Sequence, residues 1–217
     1  HVSGSWGSTV LVNPGAMTYQ VQIGADQLSD IALGMQLTGL RWRLATQTTS
    51  DYPSVPHTWD NYDIILAEAA NDISGFSPTF ADNMVNPTLV RSGALEMEAG
   101  AFVAEGNPRP WGPWISFDTP YTYQGGDLVI TYRHDGSGYV PGASHWYLNA
   151  VASGSEWVAQ YAMFDYNAVE ADYTQTAFAI TQFSAVMPSV IPEPATVTLL
   201  GLGLAGVTLK LRRRNRS

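Results

Sequence analysis

The chain contains no cysteine among its 217 residues. This absence excludes a disulfide framework, zinc sites with thiolate ligands and catalysis by a thiol. The four histidines form no H-x-H or H-x-x-x-H pair, so the sequence carries no local histidine metal motif. Cysteine is therefore absent and histidine is scarce, and these two residues supply many nucleophiles and metal ligands in proteins. We expect no cofactor in this protein.

The charges that are present divide unevenly along the chain. Five of the ten positive charges lie in residues 210–217, and these include the single lysine, Lys210. Residues 1–209 hold five arginines against all 19 acidic side chains, which gives a formal charge of about −14. Such a body repels phosphate backbones, so we expect no nucleic-acid partner.

Period-two alternation dominates residues 16 to about 187 and predicts an all-β fold. In residues 40–44, for example, apolar side chains alternate with Arg41 and Arg43 and define one apolar and one charged face. Turn clusters rich in glycine, proline and asparagine separate such runs, and only residues 67–72 favour a helical turn. We predict an antiparallel, jelly-roll-like sandwich of about 9–10 strands. The runs span residues 17–23, 40–44, 62–66, 88–97, 114–117, 128–132, 146–151, 157–164 and 176–186.

The composition changes abruptly after residue 187. Residues 188–194 form a proline-rich linker that ends in Pro192, Glu193 and Pro194, and residues 195–209 carry no charge. As a helix, residues 195–209 span about 22 Å, and the snorkelling of Lys210 extends them to Leu211. We predict a β-sandwich domain outside the cytoplasm over 1–187, the linker over 188–194 and a single transmembrane helix over 195–211.

Residues 212–217 form the basic end of this segment. The positive-inside rule places them in the cytoplasm, where they act as a stop for translocation. The arginines concerned are Arg212, Arg213, Arg214 and Arg216.

The order of a Pro-Glu-Pro motif, an apolar stretch and a terminal arginine cluster resembles the PEP-CTERM sorting signal of exported Gram-negative proteins. The resemblance covers about residues 190–217. It implies an exosortase, a membrane protease-transpeptidase, as the processing partner, and an association with exopolysaccharide. It also implies a precursor anchored in the inner membrane and then delivered to the outer surface or extracellular matrix. We therefore expect that a signal peptide precedes His1 in the precursor.

The body of the chain resembles a surface-protein domain found among such carriers, especially in planctomycete-like bacteria. The resemblance covers roughly residues 40–135, and it implies strands and turns but no assigned activity. The segments that carry it are 62–66, 79–83, 90–93, 117–121 and 125–130.

Two groups of acidic residues are candidates for chemistry. Glu96 and Glu98 would project from one face of a strand about 7 Å apart, a spacing that suits a glycosidase pair. Their alternation with Leu95 and Met97 predicts instead a solvated outer face. The acids in residues 60–63 and 82–83 offer oxygen ligands for a structural calcium ion, although they lack EF-hand spacing.

Clustered aromatic residues are the last candidates. Trp111 and Trp114, with Tyr121 and Tyr123, could present flat rings to the faces of sugars, although core packing explains most aromatic residues in sandwiches. Three hypotheses follow. The first is a non-enzymatic exported envelope protein, the second is a carbohydrate-binding, lectin-like module with Trp111 and Trp114 as glycan contacts, and the third is a glycan-active enzyme.

Overall fold

The computed structural model describes residues 6–8, 15–136, 147–152, 156–175 and 177–188. The chain divides into two units, residues 1–187 and 188–217, and of the second unit only Pro188 is among the described residues. The predicted membrane helix over 195–211 and the basic tail over 212–217 lie outside them, so these boundaries stay predictions. Within the described ranges, no helix has the length and apolar character needed to cross a membrane.

The described residues form an all-β structure in which every strand pairing is antiparallel, as predicted. Three short 3-10 helices, Ala25–Leu28, Ile73–Gly75 and Phe80–Asn83, lie in the connections. The strands are β1 (Trp6–Ser8), β2 (Met17–Ile23), β3 (Gln36–Arg41), β4 (His57–Trp59), β5 (Tyr62–Ala69), β6 (Met84–Arg91), β7 (Leu95–Met97), β8 (Ile115–Thr122), β9 (Leu128–His134), β10 (Leu148–Ala152), β11 (Trp157–Met163), β12 (Tyr173–Gln175), β13 (Ala177–Ala179) and β14 (Gln182–Val186).

The prediction of about 9–10 strands was too low, since the described residues contain 14. Two predicted runs each divide in two: 88–97 spans the end of β6 and all of β7, and 176–186 spans β13 and β14. Strands β1, β4, β7, β12 and β13 have three residues each, too few to show an alternating pattern. The jelly-roll arrangement stays a prediction.

The strands form four sheets, of which the largest has the order β12-β11-β2-β9-β5-β6. A three-stranded sheet has the order β14-β3-β8, a second has the order β1-β10-β13, and β4 pairs with β7. The main core joins side chains of these sheets. Trp42, which follows β3, packs on Tyr132 of β9 with ring centroids 5.7 Å apart.

Strand β2 is buried on both faces. Its apolar face, with Tyr19 and Val21, belongs to the main core. Its polar face lies against the segment that holds Phe80 and Asn83: Gln20 Nε2 donates to the Phe80 carbonyl at 2.9 Å, and Asn83 Nδ2 donates to Gln20 Oε1 at 2.9 Å. These bonds offset the cost of burying the amides.

The helical turn predicted at residues 67–72 is wrong. Residues 67–69 continue β5, where Glu68 pairs with Leu128 of β9. Ala67 is fully buried in this sheet, so tertiary pairing overrides the helical preference of an Ala-Glu-Ala-Ala run. The nearest helical turn begins later, at Ile73.

Candidate functional site

The predicted glycan contacts, Trp111 and Trp114, lie beside the end of β3. Trp111 forms an antiparallel bridge with Arg43, and the Gly112 N–H donates to the Trp42 carbonyl at 2.8 Å. The segment before β8 is thereby fixed alongside the continuation of β3. This alignment places both indole rings against the arginines that alternate along β3 and its extension.

Gly112 sits where only a glycine fits. A Cβ atom at this position would lie 2.2 Å from a ring carbon of Phe102, far inside van der Waals contact. Phe102 is itself buried, and its backbone exchanges two hydrogen bonds with Tyr52. The segment therefore packs directly on the core, and its neighbours Trp111 and Trp114 are held at a defined distance from it.

Arginine and tryptophan side chains alternate in space at this surface. The guanidinium carbon of Arg41 lies 4.2 Å from the centroid of the Trp114 ring and 5.8 Å from that of Trp111. The guanidinium carbon of Arg43 lies 4.9 Å from the Trp111 centroid. All three distances fall within the roughly 6 Å range of cation–π attraction. We name Arg41, Arg43, Trp111 and Trp114 the arginine–tryptophan surface.

The members of this surface differ in their access to solvent. Trp114 is 43% exposed, whereas Arg43 is almost fully buried, and burial lowers the pKa of its guanidinium. Arg41 is half-buried, and its Nε donates to Gln182 Oε1 at 2.8 Å. In the described part of the chain, the terminal nitrogens of Arg41 form no hydrogen bond or ion pair. Trp114 is thus the most accessible member of the surface, and Trp111 and Arg41 are half-buried beside it.

A third arginine adds to the positive charge of this region. Arg109 precedes Trp111 by two residues, and its guanidinium donates to the carbonyls of Thr46 and Thr48, each at 3.0 Å. Three of the five arginines in residues 1–209 therefore lie in or beside the arginine–tryptophan surface. The sequence signal for this feature was the charged face of residues 40–44, but it gave no indication that the arginines meet the two tryptophans.

The other predicted aromatic pair is not available to a ligand. Tyr121 and Tyr123 are each 5% exposed and belong to the main core. The Tyr123 hydroxyl donates to the Gly126 carbonyl at 2.6 Å, which satisfies its polar atom inside the fold. The expectation that these two rings face a glycan is therefore wrong.

The acidic pair of residues 96 and 98 lies in solvent. Glu96 is in β7 and Glu98 directly follows it, and both side chains are exposed. Leu95 and Met97, which alternate with them, are buried. The predicted solvated outer face is confirmed.

Two of the three acids proposed as calcium ligands, Asp63 and Asp82, accept hydrogen bonds from protein donors. Asp63 Oδ1 accepts from Ser92 Oγ at 2.7 Å, and its other oxygen accepts from the Tyr166 hydroxyl. Asp82 accepts from Ser77 Oγ at 3.2 Å. Across the described ranges, no three His, Asp or Glu side chains are grouped so that they could hold a metal ion.

The predicted sorting residues and basic stop lie outside the described residues. They are Pro192, Glu193, Pro194, Arg212, Arg213, Arg214 and Arg216. Their roles stay predictions as far as the structure is concerned.

Comparison with known proteins identifies the C-terminal segment. A family model described as the PEP-CTERM protein-sorting motif matches residues 190–214. No curated protein and no solved structure matches the chain significantly. The chain thus carries a PEP-CTERM sorting motif, and the resemblance of residues 190–217 to this signal is confirmed. The resemblance of residues 40–135 to a surface-protein domain stays a prediction. This motif indicates export to the envelope of a Gram-negative bacterium, with an exosortase as the processing partner.

Proposed function

We propose that this exosortase-sorted chain is a non-catalytic envelope or matrix protein whose β domain binds an anionic polysaccharide. The observation that carries the binding role is the exposed Trp114 ring with the Arg41 guanidinium stacked on it. The sorting motif supports delivery to the place where such a polymer is found. Residues 1–187 are proposed to be the jelly-roll-like domain that presents this surface.

The chemistry of Trp114 and Arg41 suits an acidic sugar. The guanidinium carbon of Arg41 lies 4.2 Å from the indole centroid, and 43% of Trp114 stays exposed, which leaves apolar ring surface for a sugar to contact. The terminal N–H groups of Arg41 match the geometry of a carboxylate and can bind it through two hydrogen bonds. Because Gln182 and Trp114 already hold Arg41, less side-chain entropy is lost on binding.

The negative charge of the domain repels a polyanion, but salt screens the repulsion from side chains distant from the binding site. Residues 1–209 carry about −14, but exposed charges are screened beyond about 8 Å at physiological salt. Arg41 and Arg109 supply positive charge within this distance of the surface. We therefore expect affinity to be modest and to fall as salt is raised.

The positions of the remaining polar candidates support a non-catalytic role. His57 packs between rings, with centroids 6.1 Å from those of both Tyr52 and Trp59. His134 is buried and stacks on Tyr62 at 5.5 Å, and its Nδ1 accepts from the Gly136 N–H. Glu96 and Glu98 lie in solvent. Roles in packing and solubility account for these positions, which supports the non-catalytic proposal.

Binding to defined polysaccharides tests the proposed ligand class. With the full chain, calorimetry should detect binding to polygalacturonate and little binding to neutral dextran. Trp114→Ala and Arg41→Ala should each weaken polygalacturonate binding about tenfold, since each removes a cation–π contact and Arg41 also a charged hydrogen bond. Phe164→Ala is the matched control, because Phe164 is 74% exposed and lies outside this surface.

Three outcomes would contradict parts of this proposal. Equal affinity for dextran would show that Arg41 does not select an anion. Unchanged polygalacturonate binding by Trp114→Ala would exclude the arginine–tryptophan surface as the binding site. Release of reducing ends from either polymer, lost in Glu96→Gln or Glu98→Gln, would favour the alternative of a glycan-active enzyme.

Processing is tested separately in the native host. We propose that residues 195–211 anchor the precursor in the inner membrane, with the arginines of 212–217 in the cytoplasm, and that cleavage occurs near residues 192–195. Intact-mass analysis of the protein from the envelope fraction should then find chains that lack residues from about 195 onward. A recombinant host without an exosortase should retain them. Recovery of uncleaved chains from the native host would count against processing.

A further inference from the structure

A cleft of about 670 Å³ lies beside the 3-10 helix Ala25–Leu28, and Gln182 is the one lining residue that the proposed function also uses. Its walls are mostly apolar and include the rings of Trp157, Phe178 and Phe183. The ring centroids of Trp157 and Phe178 are 5.4 Å apart. The volume falls in the range of about 300–1,000 Å³ that is typical of small-molecule sites. We name this feature the acidic cleft, because Asp30 and Glu156 are its charged lining residues.

The charged side chains that line the acidic cleft are Asp30 and Glu156. Both are exposed at its rim, and neither forms an ion pair within the described ranges. Gln27 Nε2 donates to Glu156 Oε2 at 2.9 Å and so orients this carboxylate. No lysine, arginine or histidine is among the residues that line the cleft. The site therefore combines two uncompensated negative charges with an aromatic wall.

We propose that the acidic cleft binds a small organic ammonium ion that carries an apolar body. The negative faces of aromatic rings attract ammonium groups, and the two carboxylates add a direct charge attraction. The aliphatic part of the wall, including Leu28 and Ile31, would remove the apolar body of the ligand from water. This ligand differs in charge from the polysaccharide proposed above, so the inference does not depend on that function.

The local charge at the cleft favours the same class of ligand. Distant charges are screened at physiological salt, so Asp30 and Glu156 set the field at the cleft, and its walls of low dielectric constant concentrate that field. A cation is therefore attracted to the mouth of the cleft, while an anion of equal size is repelled. The opposite preference is expected at the arginine–tryptophan surface, where cationic side chains line the site.

A series of ligands that share one apolar body tests the proposal. Calorimetry on the full chain at pH 7 would compare 4-phenylbutylamine, 4-phenylbutanol and 4-phenylbutyrate. We expect the amine to bind about tenfold more tightly than the alcohol, and the carboxylate to bind most weakly. The double variant Asp30→Asn/Glu156→Gln should lose most of the preference for the amine and keep only what the aromatic rings supply. Glu96→Gln/Glu98→Gln makes the same change in net charge away from the cleft and should keep the preference.

A second variant tests where the ligands bind. Ala152 lines the cleft and is exposed, so Ala152→Trp should fill part of the cleft without disturbing the core. The affinity for all three ligands should therefore fall. Melting curves of each variant would show that the fold is retained. Absence of binding by the amine, equal binding of amine and alcohol by the parent chain, or loss of the preference in the Glu96/Glu98 control would each overturn the proposal.

Discussion

The arginine–tryptophan surface and the acidic cleft show how charge divides two aromatic sites on one domain. Each contains exposed or partly exposed rings, and each lies beside the sheet β14-β3-β8. The first brings Arg41 onto Trp114, whereas the second places Asp30 and Glu156 beside Trp157. The rings provide contact area in both sites, and the charged neighbours decide the sign of the ligand.

The two regions also differ in how they are held. The segment with Trp111 and Trp114 is a connection that keeps its position through a bridge and the close packing of Gly112 on Phe102. The cleft residues Trp157 and Phe178 lie on β11 and β13, so the sheets themselves position them. A change at one residue should therefore damage the surface without damaging the cleft.

The largest effect in this comparison is expected for Gly112→Ala. Its Cβ would lie 2.2 Å from the Phe102 ring, so either the ring or the segment must move. Overpacking of this kind lowers the free energy of unfolding by about 1–3 kcal/mol. For a domain of this size, a loss of about 2 kcal/mol lowers Tm by about 4–8 °C. Polygalacturonate affinity should fall more than tenfold, while 4-phenylbutylamine affinity should stay within about twofold.

Gly75→Ala provides the control for this substitution. Its Cβ would find no atom closer than 3.5 Å, and Gly75 does not have a positive φ. We expect a change in unfolding free energy within about 0.5 kcal/mol. If Gly112→Ala melts like the parent chain and still binds polygalacturonate, the close packing on Phe102 does not position the tryptophans.

Features of the fold that depend on local pattern could be predicted from the sequence. The alternation in residues 17–23 and 128–132 predicted strands, and these are β2 and most of β9. The resemblance to the sorting motif could be recognised in the sequence, because the Pro-Glu-Pro linker, the apolar stretch and the arginine cluster are consecutive in the chain. Alternation also identified Glu96 as a solvated side chain.

Features that depend on contacts distant in sequence could not be predicted. Alternation shows that Tyr121 and Tyr123 share a face, but not that this face is turned into the core. Arg41 and Trp114 are far apart in the chain, and the pairing of β3 with β8, extended by the Arg43–Trp111 bridge, brings their segments together. The acidic cleft likewise joins Asp30 to Glu156 through tertiary packing, which no local pattern records.

Gln182 belongs to both regions and allows the finest test of the comparison. Its Oε1 accepts from Arg41 Nε at 2.8 Å, and the same residue lines the acidic cleft. Gln182→Glu keeps the shape of this side chain and adds one negative charge between the two sites. The carboxylate would pair with Arg41 and compete with a polyanion, and it would also add to the attraction of the cleft for an ammonium ion.

Opposite changes in the two affinities are therefore expected for Gln182→Glu. Polygalacturonate binding should weaken about three- to fivefold, and 4-phenylbutylamine binding should tighten about two- to threefold, since one partly exposed charge contributes on the order of 1 kcal/mol or less at each site. Both would be measured by calorimetry in the same buffer. Gln124→Glu is the matched control, because Gln124 is exposed and the change in net charge is identical. If the control produced the same shifts, net charge alone would account for them. If both affinities moved in the same direction in Gln182→Glu, the two regions would not be distinguished by charge, because a single added carboxylate must repel one ligand and attract the other.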